Sequence, residues 1–303
     1  MDFLGPILGT ILNIIYKIVS NYGVAIILLS ALIKLALLPL TVKQQKSMAG
    51  MQKIQPLINE IQTKYANDKE KQSQEMMKLY QEYKISPTAG CLPLLLQFPI
   101  LIGLYAAISK PLSFMCKLSA DQIKALKDLT GVVIAPNKRI YEEIYIANAA
   151  GKSEFITKAK ELAEGFFSID FNFCGLDLSA QGDWSTLSLA WILPFLAAGL
   201  TFLSSYVMQP HGKDAPKTDS DNPASNMTKG MLYFMPLMIL YIGFAAPGGL
   251  CLYWAVNSFL QIVQYFTFDK KLKEKLSVEI DEKNAVKEQL KLEKKKKKKR
   301  KGK

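Results

Sequence analysis

Residues Tyr22–Val42 read YGVAIILLSALIKLALLPLTV. It is apolar and long enough to cross a bilayer core, which takes about 20 such residues. Lys34, near its middle, is its only charge. A lysine at mid-bilayer costs roughly 2.5–3.5 kcal/mol on insertion scales, which is tolerated when the ammonium faces water or a partner inside a helix bundle. The competing reading is a side chain that snorkels along its own stem to the nearer surface. From Lys34 to the polar run at Lys43 is about nine residues, or roughly 13 Å at 1.5 Å per residue. A lysine stem spans about half of that, so snorkelling is a strain and a Lys34 with a role inside a bundle is favoured.

Half of the 303 residues are hydrophobic, yet the net charge is +12. A mean hydropathy above zero fits an integral membrane protein with polar appendages. Residues 269–303 hold 16 basic and 7 acidic side chains, so +9 of the +12 lies in the C-terminal tail. Such a block favours anionic partners, ribosomal RNA or anionic lipid, with a merely solvated tail that sets topology as the alternative. Cys91 and Cys251 fall in apolar stretches, where Cys acts as a small hydrophobe. Cys116 and Cys174 share one long loop and are free to pair there if that loop faces an oxidising compartment. One histidine and no CxxC make a metal site unexpected.

Outward from the first span, residues 1–21 carry Leu4, Ile7, Leu8, Ile11, Ile15 and Ile18 at helical spacing, which predicts an amphipathic helix lying in the interface. Residues 43–85 are lysine-rich. Met48, Met51, Ile54, Leu57, Ile58 and Ile61 mark one amphipathic helix, and Met76, Met77, Leu79, Tyr80 and Tyr83 a second. Ala66-Asn67-Asp68 turns between them, so this part reads as a helical hairpin. Further spans are expected at 86–108, 186–208, 230–246 and 248–268, with Pro247 at the last tight turn. Between them lie a long polar loop, 109–185, and a short one, 209–229. The fold class is all-α: a polytopic membrane protein with a five-transmembrane-helix core, a cytoplasmic helical hairpin and an N-terminal interfacial amphipathic helix. The positive-inside rule puts the tail and the hairpin in the cytoplasm, and the 109–185 loop and the N-terminus outside. A six-span version, with residues 3–20 also crossing, keeps the tail inside and stays open.

None of the five spans contains Asp or Glu, which disfavours cation-coupled transport. HExxH, GxSxG and P-loop patterns are missing, so an enzyme is not expected and no cofactor is called for. Pro39, Pro93, Pro99, Pro194 and Pro236 interrupt the spans, each removing a backbone donor. Gln97, Ser204, Ser205, Asn257 and Gln261 add polar side chains. They fit either interhelical hydrogen bonds or a wet cavity around Lys34.

The run PLTVKQQKSMAGMQKIQPLINEIQTKY, the run QEMMKLYQEYKISPTAGCLPLLLQFPILIGLY and the ending APGGLCLYWAVNSFLQIVQ resemble the YidC family of membrane-protein insertases, relatives of the mitochondrial oxidase-assembly and chloroplast Albino insertases. The likeness covers Tyr22–Tyr105 and about Leu187–Phe266. It implies five core helices around a polar groove, open to the cytoplasm and to lipid and closed outside, without the large outer domain that some members insert before the core. Lys34 stands where the family usually has an arginine, keeping the charge and losing the bidentate fork. By the same resemblance Tyr253 and Trp254 match the aromatic pair of the last span, and Gln97 matches the glutamine of the second. Tyr206 stands where many members have a third-span glutamine. The expected groove set is Lys34, Gln97, Ser205, Tyr206, Tyr253, Trp254 and Asn257.

The function so implied is insertion of nascent membrane proteins into a bacterial plasma membrane, alone or with the Sec translocon. The expected partners are the substrates, a translating ribosome at the tail 269–303, the signal-recognition machinery and membrane lipids. Competing classes are a passive assembly scaffold, in which Lys34 pairs with a partner's carboxylate, and a small-solute transporter. Insertion by the purified protein alone separates the insertase from the scaffold, and saturable solute flux marks the transporter.

Overall fold

The structure, a computed structural model, describes residues 4–83, 85, 92–181, 189–208, 223–276, 278, 280 and 282, without the side chains of residues 52, 92–97, 137 and 223–231. The described residues fall into two compact units. The first holds helix α1 (Leu4–Val19), the start of α2 (Tyr22–Lys64) up to Leu37, and α4 (Leu92–Ser109) from Leu94. It continues through the segment after α4, then α9 (Ile192–Met208), α10 (Pro223–Ala245) and α11 (Gly248–Gln264) to Ile262. The second unit holds the remainder of α2, then α3 (Lys69–Tyr83) and the segment from Val263.

Among the described residues, two helices are long and apolar enough to cross a membrane, Tyr22–Met51 and Leu189–Met208. Leu4–Val19, Phe98–Ser109 and Leu232–Ala245 are shorter apolar helices. The start of α2 is written in local chemistry. Ser20 takes a left-handed φ of 53° that ends α1, and Asn21 Oδ1 then accepts the backbone N–H of Val24 at 3.1 Å as an N-cap. Helix α2 runs for 43 residues through Pro39 and Pro56, with no break at residue 43. In the second unit the turn after α2 spans residues 65–67, and Asp68 caps α3 by accepting from Lys71 N at 3.0 Å. Ile54, Ile58 and Leu79 are buried there against Met51, Leu57, Ile61, Met76 and Tyr80. After α11 a π-helical turn, Tyr265–Asp269, buries the Asp269 carboxylate, which accepts from Gln264 Nε2 at 3.3 Å.

Helix α1 differs from the predicted stripe. Its buried residues are Gly5, Leu8, Gly9, Leu12 and Tyr16, whereas Ile7 and Ile18 are exposed. The docking face is centred on glycines, which hydropathy does not register. A Cβ on Gly9 would lie 2.4 Å from Phe114 Cβ, so only glycine lets the backbone approach this closely.

The segment 109–185, read from sequence as a polar loop, is a folded cap through residue 181. It contains α5 (Pro111–Phe114), α6 (Ala120–Thr130), a 3-10 turn (Pro136–Tyr141), α7 (Glu142–Ala150) and α8 (Ile156–Leu162). A hairpin of β1 (Asn172–Phe173) and β2 (Leu176–Asp177) follows. Leu118, Leu126, Ile144, Ile146, Phe166, Phe171 and Leu178 are buried in the core of the first unit. Ser119 and Gln122 form a reciprocal capping box on α6. The Glu143 carboxylate accepts from Ser113 N at 2.7 Å and Ser113 Oγ at 2.6 Å, tying α7 to α5. Burial pushes that carboxyl above its ordinary range, and the two Ser113 bonds pull it partly back.

The last part of the cap stitches helix ends together. Tyr22 N donates to Asp170 O at 3.1 Å, while Gly248 N and Gly249 N donate to Ala180 O and Leu178 O, each at 2.9 Å. Orphan N–H groups at the starts of α2 and α11 are thereby satisfied. The hairpin turns on Cys174 and Gly175, both at positive φ, as a two-residue type I′ turn requires.

Cys116 and Cys174 form no disulfide: Cys116 is buried within the cap and Cys174 stands exposed at the hairpin tip. Burial pushes the Cys116 thiol up to about 11, so at neutral pH it lacks the thiolate that reacts. A maleimide at pH 7 is expected to label Cys174 at least tenfold faster than Cys116, read by peptide mass. Comparable rates would mean that the cap opens.

Candidate functional site

The site is built on α2 and α11, with α9 as the third wall. Lys34 lies about 18 Å along α2 from Tyr22, at 1.5 Å per residue. It is half-buried, and its Nζ donates to Gln261 Oε1 at 3.2 Å. The other end of that amide, Nε2, donates to Met208 Sδ at 3.3 Å. This pair of bonds sets the orientation of the amide, with its oxygen toward the ammonium. One turn nearer the start of α11, Ser258 Oγ and Thr201 Oγ1 are 2.9 Å apart. Thr201 Oγ1 also donates to Ala197 O at 2.7 Å, and Ser204 Oγ to Thr201 O at 3.0 Å. Trp254, Asn257, Ser258 and Gln261 recur at i, i+3, i+4 and i+7, so they share one face of α11. The arrangement is a polar seam running from α2 through α11 to α9, with a cation at its α2 end.

Of the residues expected from sequence, Lys34 lies in this seam. Trp254 and Asn257 are half-buried on the α11 face that carries it, and Tyr253 is buried in the core. Ser205 is half-buried, while its neighbour Ser204 is the buried serine of α9. Tyr206 is 49% exposed and stacks on Phe202, whose ring also lies 6.0 Å from that of Tyr233. It thus belongs to the exposed aromatic face of α9 and α10. The side chain of Gln97 lies outside the described residues, as does most of the basic tail, from 283 on. Gln261, Thr201 and Ser258 complete the seam. The spacing of Gln261 from Trp254 places it on the same face of α11, as it does Asn257, without singling it out. Among the described residues, no group of His, Cys, Asp and Glu side chains is placed to hold a metal ion.

The family described as 60Kd inner membrane protein matches residues 14–275. A membrane protein insertase YidC of Fusobacterium nucleatum is 30% identical over 270 residues, covering 89% of this chain and 97% of the relative. Its namesakes in Treponema denticola and Nitratidesulfovibrio vulgaris are 30% and 29% identical, over 89% and 86% of this chain. The chain spans only 38% of the length of each of those two. The family match runs from the end of α1 past the π turn and takes in α2, α9 and α11, the three helices that hold the Lys34 seam, so the chain belongs to the YidC family of inner-membrane proteins.

Proposed function

We propose that this protein inserts nascent membrane segments into the bacterial plasma membrane, using the charge of Lys34 inside a five-span bundle to draw polar or acidic substrate residues into the membrane. The observation that carries the reading is the Lys34–Gln261 bond at 3.2 Å between two core helices of an insertase family. The Gln261 amide oxygen accepts from the ammonium and holds it at the seam. A substrate carboxylate arriving at the seam displaces the amide and gains a charge–charge contact, about 4 kcal/mol at 4 Å with an effective dielectric of 20. The apolar part of the segment leaves sideways into lipid, driven by transfer of its surface from water. The exposed face of Phe202, Tyr206, Tyr233 and Tyr241 suits that exit. No nucleotide enters the step, and membership of an insertase family means that the chain is not an enzyme.

In this reading the N-terminus and cap are outside and the hairpin and tail are cytoplasmic. The hairpin receives substrate or the signal-recognition machinery, the Lys-rich tail 269–303 holds a translating ribosome, and the Sec translocon is an optional neighbour. Gln97, Ser205, Tyr253, Trp254 and Asn257 line the substrate path with Lys34.

The test is insertion of a single-span substrate with an acidic outer tail into liposomes that hold only the purified protein, scored by protease protection. Protection well above that in empty liposomes is expected. Protection equal to that in empty liposomes would overturn the insertase reading in favour of a scaffold. Removing residues 283–303 is expected to lower ribosome co-sedimentation at 50 mM salt at least tenfold and to weaken its salt dependence, because released counterions drive such binding.

A further inference from the structure

We propose that residues 131–141 of the cap, GVVIAPNKRIY, form a membrane-interface anchor: Val133 and Ile140 sit at the headgroup–acyl boundary beside α4, and Lys138 and Arg139 meet anionic headgroups. Val133 is 97% exposed and Ile140 58% exposed, in an ordered segment whose other end, Tyr141, is buried. A single exposed apolar side chain is ordinary on a protein surface, so exposure alone decides nothing. Depth decides it. The Tyr141 ring meets the Tyr105 ring edge-on at 6.0 Å. Tyr105 lies four residues inward of Ser109, where α4 ends, about 6 Å along the helix axis.

The exposed Lys110 follows immediately and marks the water side. The Tyr141 ring is therefore held below the end of α4, at the level that tyrosines favour, with Ile140 next to it in the chain. The segment contains two bases and no acid. The adjoining acids are engaged elsewhere, Glu142 with Lys127 and Glu143 with Ser113. An apolar tip with flanking cations is the chemistry that binds an anionic bilayer surface. A protein partner would leave the cationic pair without a stated acceptor, whereas the bilayer supplies one on the face where α4 ends. The inference rests on the reading that α4 and α9 cross the membrane.

The experiment is spin labelling of the full chain in nanodiscs containing phosphatidylglycerol, with Cys91 and Cys174 changed to Ser. Single labels at Val133→Cys, Ser153→Cys and Leu203→Cys are compared for collision with oxygen and with a water-soluble nickel chelate. The 133 label is expected to collide with oxygen at least threefold more, relative to nickel, than the label at 153 in the exposed cap turn. The 203 label, on the exposed face of α9, should show the greatest excess. A 133 label as water-accessible as that at 153, with 203 still deep, would overturn the anchor and leave the spans intact. A 133 label shielded from both reagents would mean a protein covers it, which also overturns the proposal. A 203 label in water would remove the span reading and the anchor with it. Finally, Lys138→Glu with Arg139→Glu should lower the 133 ratio in anionic discs and not in zwitterionic ones. An equal ratio in both would overturn the headgroup part.

Discussion

Lys34→Ala is expected to lower insertion of a substrate with an acidic outer tail at least tenfold, while a neutral-tailed substrate changes by less than threefold. A factor of ten needs only about 1.4 kcal/mol, well inside the Coulomb attraction available at a few ångströms in a partly buried site. Lys34→Arg keeps the charge and should retain most of the activity. The geometry allows a sharper version, because Gln261 reaches the same point from the facing helix. Lys34→Gln combined with Gln261→Lys moves the ammonium from α2 to α11 across about one hydrogen-bond length, and should restore what Lys34→Gln alone removes. Gln261→Glu places a carboxylate against Lys34, which then competes with that of the substrate and should depress acidic-tail insertion selectively. Insertion untouched by Lys34→Ala would sink the charge mechanism. Loss with Lys34→Ala but none with Gln261→Glu would spare the charge and remove Gln261 as its positioning residue. Protease-protected yields for the two substrates, measured side by side in liposomes, separate these cases.

Gly9→Val should lower the thermal midpoint of the detergent-solubilised protein by about 5 °C or more and raise proteolysis within α1. A Cβ at Gly9 falls 2.4 Å from Phe114 Cβ and 3.0 Å from Phe114 backbone atoms, and backbone cannot rotate out of the way as a side-chain tip can. Overpacking of this kind costs about 1–3 kcal/mol before any further branch is added, and in a chain of this size each is worth a few degrees. Gly5→Ala is the control. Its Cβ would meet the Phe114 ring at 3.2 Å and Ala106 Cβ at 3.3 Å, contacts relieved when the neighbours give by a few tenths of an ångström, so a change within about 2 °C is expected. Equal midpoints for Gly9→Val and the wild type, read by a thiol-reactive or tryptophan melt, would mean that α1 is not docked on Phe114. Gly23→Ala tests the stitched end of the cap in the same way, because its Cβ would meet Phe173 Cγ at 2.4 Å.

Much of this protein was legible before any tertiary structure. An apolar run is a local property, and so is a lone charge inside it: Tyr22–Val42 and Lys34 declared a membrane helix with an anomaly that needed a reason. The long ordered motifs around Pro39–Tyr65 and Ala246–Gln264 identified the family, because such runs record many constraints at once. The turn at Ala66-Asn67-Asp68, a matter of near neighbours, was likewise there to be read.

What depended on tertiary structure is what depends on distance in space between residues far apart in the chain. The partner of Lys34 is 227 residues away, and no local pattern selects Gln261 over Asn257 or Gln264. The docking face of α1 turned on two glycines, whose value lies in the side chains they lack. The polar-looking cap folded because Leu126, Ile144, Phe171 and Leu178 bury together, although charged residues are interspersed along that stretch of sequence. Composition and periodicity report how much apolar surface must leave water and along which stripe. Only the packed chain decides which surfaces meet and which polar groups are brought within a hydrogen bond of each other.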